Sequence, residues 1–132
     1  MADLRQRQPR EVDGDYKGWI AGLPCIACAI NGVINRRVHV AHLRMAWAEE
    51  GLSITGKSEK PHDWRTTPLC PDHHLYSKTS QHKVGEWEFW GALTINPARL
   101  CRELNAAYLA GQSGLPVIMK ISAEAVRKRI CS

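Results

Sequence analysis

Cys25-Ile26-Ala27-Cys28 and Cys70-Pro71-Asp72-His73 are two knuckles of matched spacing, each with two residues between its outer members and joined by a long intervening segment. Thiolates and neutral imidazole satisfy a tetrahedral zinc ion, and two intervening residues let each knuckle present both of its side chains to one ion. Four protein ligands close the shell and leave no coordination position for chemistry, so the expected role is structural. His74 is a second candidate for the fourth place, and the matched spacing favours His73. A metal staple also suits the size: 132 residues make one small domain with extensions, and small domains often need more than their apolar core. Five cysteines, an odd number with one CxxC pair, fit a metal site in a reducing compartment better than a secreted disulfide framework. Cys101 reads as a small buried residue on a helix.

Outward from the knuckles, Tyr16, Trp19, Ile20 and Leu23 recur at helical spacing, and Pro24 ends that helix just before Cys25. Residues 36–43 are β-branched and alternating and predict a strand carrying His39 and His42 on it or at its end. Residues 44–65 mix glycine, lysine, serine and proline and read as a long irregular loop. Thr66 to Leu69 is a short extended run, followed by a helix, a bend and a second helix whose Trp87 and Trp90 are expected in the core. Asn96 and Pro97 stand at N-cap and first-turn positions of the next helix; Leu100, Leu104 and Tyr108 form its apolar stripe, and Gly111 ends it. A last helix is expected over Ser122 to Ile130, bearing Arg127, Lys128 and Arg129. The sum is an α+β chain: a flexible basic arm at 1–14 and a single domain over 15–132 with C-terminal helices.

A formal charge of +5 and a pI near 9.1 favour an anionic partner such as nucleic acid, because lysine and arginine release counterions when they neutralise phosphates. No stretch approaches the roughly 20 apolar residues that cross a bilayer, and the opening MADLRQRQPR has no apolar segment behind its charges. A cytoplasmic protein with no membrane partner is therefore expected.

The zinc frame leaves histidines over. His39, His42, His74 and His82 flank it in sequence, with His62 in the loop, and imidazole either ligates a metal or takes a proton near neutral pH. A second metal or an acid/base site is expected here. The ordered set CIAC, HVAHLR, PLCPDHH and EWEFW resembles the phage-type HNH endonucleases of the zinc-knuckle ββα-metal class, in particular phage recombination-associated nucleases, over residues 24 to about 104. The resemblance implies a small zinc-stapled ββα-metal core with flanking helices, encoded by a bacterium or phage. It further implies a metal-dependent DNA endonuclease in which His42 is the general base and His74 binds a catalytic magnesium or manganese ion. His82 matches a further helical histidine of such nucleases and is a second candidate ligand. Hydrolysis of a phosphodiester needs both an activated water and a cation that stabilises charge on the phosphate.

The middle asparagine of the family is absent, since none lies between Asn35 and Asn96. Asp63 takes its place, either as a ligand of the catalytic ion or as a loop cap. Ala41 stands where many relatives have a metal-binding residue, and His39, on the same strand face, is the candidate substitute. Arg44, Lys57, Lys60 and Arg65 are the candidate phosphate contacts, and Trp47 and Trp64 candidate stacking residues. Nothing in the chain reads base sequence, so the expected substrate is duplex DNA, nicked one strand at a time by a monomer, beside an unidentified recombination or packaging partner. Two other functions fit the same frame: a catalytically silent zinc module that binds DNA, and a zinc-stabilised protein-interaction domain.

Overall fold

A computed structural model describes residues 14–45, 47 and 63–131. Of the expected basic arm, residues 1–13 lie outside the described residues, as do 46 and 48–62 of the long loop, with Lys57, Lys60 and His62. The architecture is α+β. In chain order it runs α1 (Gly14–Ala21), α2 (Ile26–Ile30), β1 (His39–His42), β2 (Thr66–Leu69), a π-helical turn (Asp72–Tyr76), α3 (Gln81–Val84), α4 (Glu86–Leu93), α5 (Pro97–Leu109) and α6 (Leu115–Cys131). No helix among the described residues is long and apolar enough to cross a membrane.

The two strands pair antiparallel, with His39 opposite Leu69, Val40 opposite Pro68, Ala41 opposite Thr67 and His42 opposite Thr66. The Leu43 amide extends the ladder by donating to the Arg65 carbonyl at 2.8 Å. Pro68 cannot donate to a ladder, which a two-stranded ribbon tolerates. All of β2 is buried. Around it the core gathers Ile20, Ile26, Leu43, Leu69, Trp90, Leu100, Leu104 and Ile118, each fully enclosed. The expected strand over 36–43 is trimmed to four residues.

Local chemistry sets the helix ends. The Asn96 side chain accepts from the amides of Ala98 (3.0 Å) and Arg99 (3.1 Å), and Pro97 fills a first-turn position where its missing N–H costs nothing. The α5 stripe holds: Leu100 and Leu104 are enclosed, and Tyr108 meets Tyr16 of α1 edge-on with ring centroids 4.9 Å apart. The last helix begins at Leu115, seven residues before Ser122, because Pro116 falls in its first turn, where proline is tolerated. Just ahead of it Gly114 is pressed against α1: a Cβ there would lie 2.8 Å from Trp19 Cη2 and 2.9 Å from Leu23 Cδ1.

Trp90 follows expectation, enclosed with its Nε1 donating to Gln81 Oε1 at 2.8 Å. Trp87 does not. It is 53% exposed and packs its ring at 4.2 Å from that of Trp47. The helix that carries both is only eight residues long, and its buried positions are Phe89 and Trp90.

Candidate metal centre and histidine cluster

Each residue of the two knuckles reaches the cluster from a chain reversal. Cys25 caps α2, its Sγ accepting from the Cys28 amide at 3.4 Å. The Cys28 carbonyl accepts from the amides of Asn31 and Val33, and Gly32, at φ +77°, turns the chain through the left-handed region that glycine enters without strain. The return is tied by the Cys25 amide donating to the Asn35 carbonyl at 2.8 Å and by Asn35 Nδ2 donating to Cys28 Sγ at 3.6 Å. Cys70 follows β2, and the π-helical turn then supplies His73.

The four ligand atoms of Cys25, Cys28, Cys70 and His73 all lie within 4.8 Å of one another. His73 Nδ1 is 3.7 Å from Cys25 Sγ, 3.6 Å from Cys28 Sγ and 3.2 Å from Cys70 Sγ, and the Cys28 and Cys70 sulfurs are 3.9 Å apart. A tetrahedral zinc with ordinary bond lengths separates its ligand atoms by about 3.5–3.8 Å. The donor set and its spacing therefore fit: this cluster can hold a metal ion such as zinc. Burial pushes the Cys25 thiol up to about 12, against the Cys70 and Cys28 backbone amides that favour its thiolate. Burial likewise raises Cys28. Thiols this enclosed ionise together only against a cation, so metal uptake would release protons. Burial holds the His73 imidazole below its usual range and so favours the neutral, ligating form, while the Asp72 carboxylate pulls the other way.

His74 faces the other way. On a helical turn neighbouring side chains point apart, so His73 meets the sulfurs while His74 meets β1, its Nδ1 3.0 Å from His39 Nδ1 and the two rings nearly perpendicular. Burial, then the neighbouring His39, His82 and His42, push His74 down to about 4. His82, on α3, is thus close enough to His74 to bear on its charge.

His42, the last residue of β1, is 31% exposed at its side chain and places Nε2 3.2 Å from Oδ1 of a fully buried Asp63. Asp63 Oδ2 is 3.7 Å from Lys17 Nζ of α1, and the Asp63 carbonyl accepts from Thr66 Oγ1 at 2.8 Å. The Asp63 carboxylate thus meets His42, a partner that neither expectation for this residue had named.

Arg65 departs from its expected place among phosphate contacts. It is 5% exposed, and Nη2 donates inward to the Met45 carbonyl at 3.1 Å. Burial lowers its affinity for the proton, which the neighbouring Glu86 partly restores. Strand β2 begins directly after it and is buried throughout, which draws Arg65 inward. Arg44 lies nearby with its amide held by both Glu86 carboxylate oxygens at 2.9 and 3.1 Å, and Met45 donates to the same carboxylate at 2.8 Å. Trp64 carries the Arg102 guanidinium 5.5 Å over its ring.

Sequence reasoning missed Lys17 and Glu86. Lys17 follows Tyr16 on the exposed-looking side of α1, and only the fold brings it to Asp63. Glu86, in the first turn of α4, carried a signal as a helix-start acid, but its grip on residues 44 and 45 spans more than forty positions. Comparison of the chain with protein-family models, curated proteins and solved structures gives no match.

Proposed function

We propose that the chain is a divalent-metal-dependent endonuclease that hydrolyses phosphodiester bonds in duplex DNA, nicking one strand at a time with little sequence preference. The observation that carries this is that one short strand, β1, bears both pairs, His39–His74 at its first residue and His42–Asp63 at its last, in a sheet whose second strand runs into the Cys/His cluster. Asp63 occupies one imidazole nitrogen of His42, fixing the ring and leaving Nδ1 to take a proton from the attacking water. Its buried negative charge stabilises the imidazolium that forms, the part an aspartate plays behind a catalytic histidine. Lys17 holds the far oxygen of the carboxylate and keeps Asp63 aimed. His39 and His74 would hold the divalent ion, which when bound polarises the phosphate and stabilises charge on the leaving oxygen. The Cys25, Cys28, Cys70 and His73 cluster would hold a structural zinc that sets the π-helical turn, and with it His74, against β1. The net charge of +5 supports approach to a phosphate backbone without reading bases.

Supercoiled plasmid incubated with the full chain in manganese, magnesium, nickel or chelator tests the proposal. Nicked circles that appear before linear DNA, and only with added ion, are expected. Binding that shifts the plasmid without any nicking in every metal would favour the catalytically silent DNA-binding module.

A further inference from the structure

The geometry points to a nitrogen-preferring first-row transition ion, nickel(II) being representative, as the occupant of the His39–His74 pair in preference to magnesium. The use of that ion rests on the function proposed above; its chemistry does not. Two Nδ1 atoms 3.0 Å apart match adjacent positions of a six-coordinate ion with metal–nitrogen bonds of about 2.1 Å, which lie about 3.0 Å apart, whereas a tetrahedral ion spreads them to about 3.4 Å. Both donors are imidazole. The carboxylate that would make the site attractive to a hard cation, Asp63, is committed to His42 and Lys17. Among the described residues no carboxylate completes a three-ligand group with the two histidines; the cluster of Cys25, Cys28, Cys70 and His73 is the one such group found. Magnesium is held through oxygen and sheds its water reluctantly. Imidazole instead suits iron, nickel, copper and zinc, and affinity for a nitrogen site rises from manganese through cobalt to nickel. The magnesium that the family resemblance implies therefore does not match the donors found among the described residues.

The alternative account of the same 3.0 Å contact is a hydrogen bond between two neutral imidazoles, and binding separates the two. Tag-free, zinc-loaded full chain would be titrated calorimetrically with nickel, cobalt, manganese and magnesium chlorides, without DNA, with zinc content measured before and after. About one further equivalent of nickel should bind, at least about a hundredfold more tightly than magnesium, with manganese between them. His39→Ala should weaken nickel binding by about tenfold or more with zinc retained. His74→Ala should do the same if its neighbour His73 keeps the zinc. Magnesium bound as tightly as nickel, no additional equivalent of any ion, or nickel binding untouched by His39→Ala would each overturn the inference. A nickel equivalent lost in His39→Ala but with no plasmid nicking sinks the nuclease proposal and leaves this one standing. Nicking in magnesium without a nickel equivalent does the reverse.

Discussion

His42 Nε2 and Asp63 Oδ1 stand 3.2 Å apart, the histidine half-buried at the end of its strand and the carboxylate fully enclosed. A buried carboxylate orients the imidazole it meets and favours one tautomer. Asp63→Asn should therefore lower the nicking rate by about a hundredfold or more while zinc content stays near one per chain, and His42→Ala should do at least as much. Plasmid nicking with saturating metal, read beside elemental analysis, checks both. A His42→Ala variant that nicks at the unaltered rate would remove His42 from the proposed site.

The Cys/His cluster joins α2, the end of β2 and the π-helical turn, so its loss should release all three. Cys25→Ala or Cys70→Ala should give a chain that purifies without zinc and loses cooperative thermal unfolding, because a structural zinc site contributes its binding energy to folding. Stepwise chelation of the unaltered chain should show zinc leaving before helical signal is lost. A folded sample with no zinc by elemental analysis would count against a structural ion.

Arg65 should behave as a fold residue. Arg65→Gln leaves the half-buried Met45 carbonyl without this donor and the guanidinium's buried place refilled by a shorter side chain, and a cost of about 1–3 kcal/mol in urea unfolding is expected. The slope of DNA affinity against salt should not change. A slope reduced by about one, with stability intact, would instead mark a phosphate contact.

Between α5 and α6, Arg99 donates to Glu103 at 2.7 Å and to Glu124 at 2.6 Å, while Lys120 also meets Glu103. The Arg99 hydrogen bond holds Glu124 below the usual carboxylate range. Glu103 is lowered too: burial alone would raise it, but hydrogen bonds from Lys120 and Arg99 outweigh that. A folded-state pKa below the unfolded value binds fewer protons in the native state, so this contribution is full above the unfolded glutamate range and fades as pH falls through the folded values. These groups are partly exposed, so Glu124→Gln should cost no more than about 1 kcal/mol at pH 7. The gap from the unaltered chain should close near pH 3. A gap that persists there would show that the pairing is not its cause.

Much of the local architecture was legible in the chain because it depends on neighbours in sequence. The α5 helix was announced by Asn96, Pro97 and a stripe at Leu100, Leu104 and Tyr108, all acting within a few turns. The matched spacing of the two knuckles marked the four residues that the fold gathers, since each pair needs only its own reversal to present both side chains. The start of α6 was missed because a proline at position 116 is a breaker in most contexts and harmless in a first turn.

What sequence could not settle were choices of direction and of partners far apart. Whether His73 or His74 joins the sulfurs depends on how the π-helical turn is rotated against β1, which packing decides. Whether Arg65 faces solvent or the Met45 carbonyl depends on how deeply β2 is sunk between α1 and α5. Asp63 meets His42 across twenty-one positions and Lys17 across more. Composition and periodicity fix which residues are available and which face of a helix is apolar. The pairing of a strand-end histidine with a buried carboxylate, and of two imidazoles at 3.0 Å, exists only once long-range burial has offset the entropy of bringing those segments together.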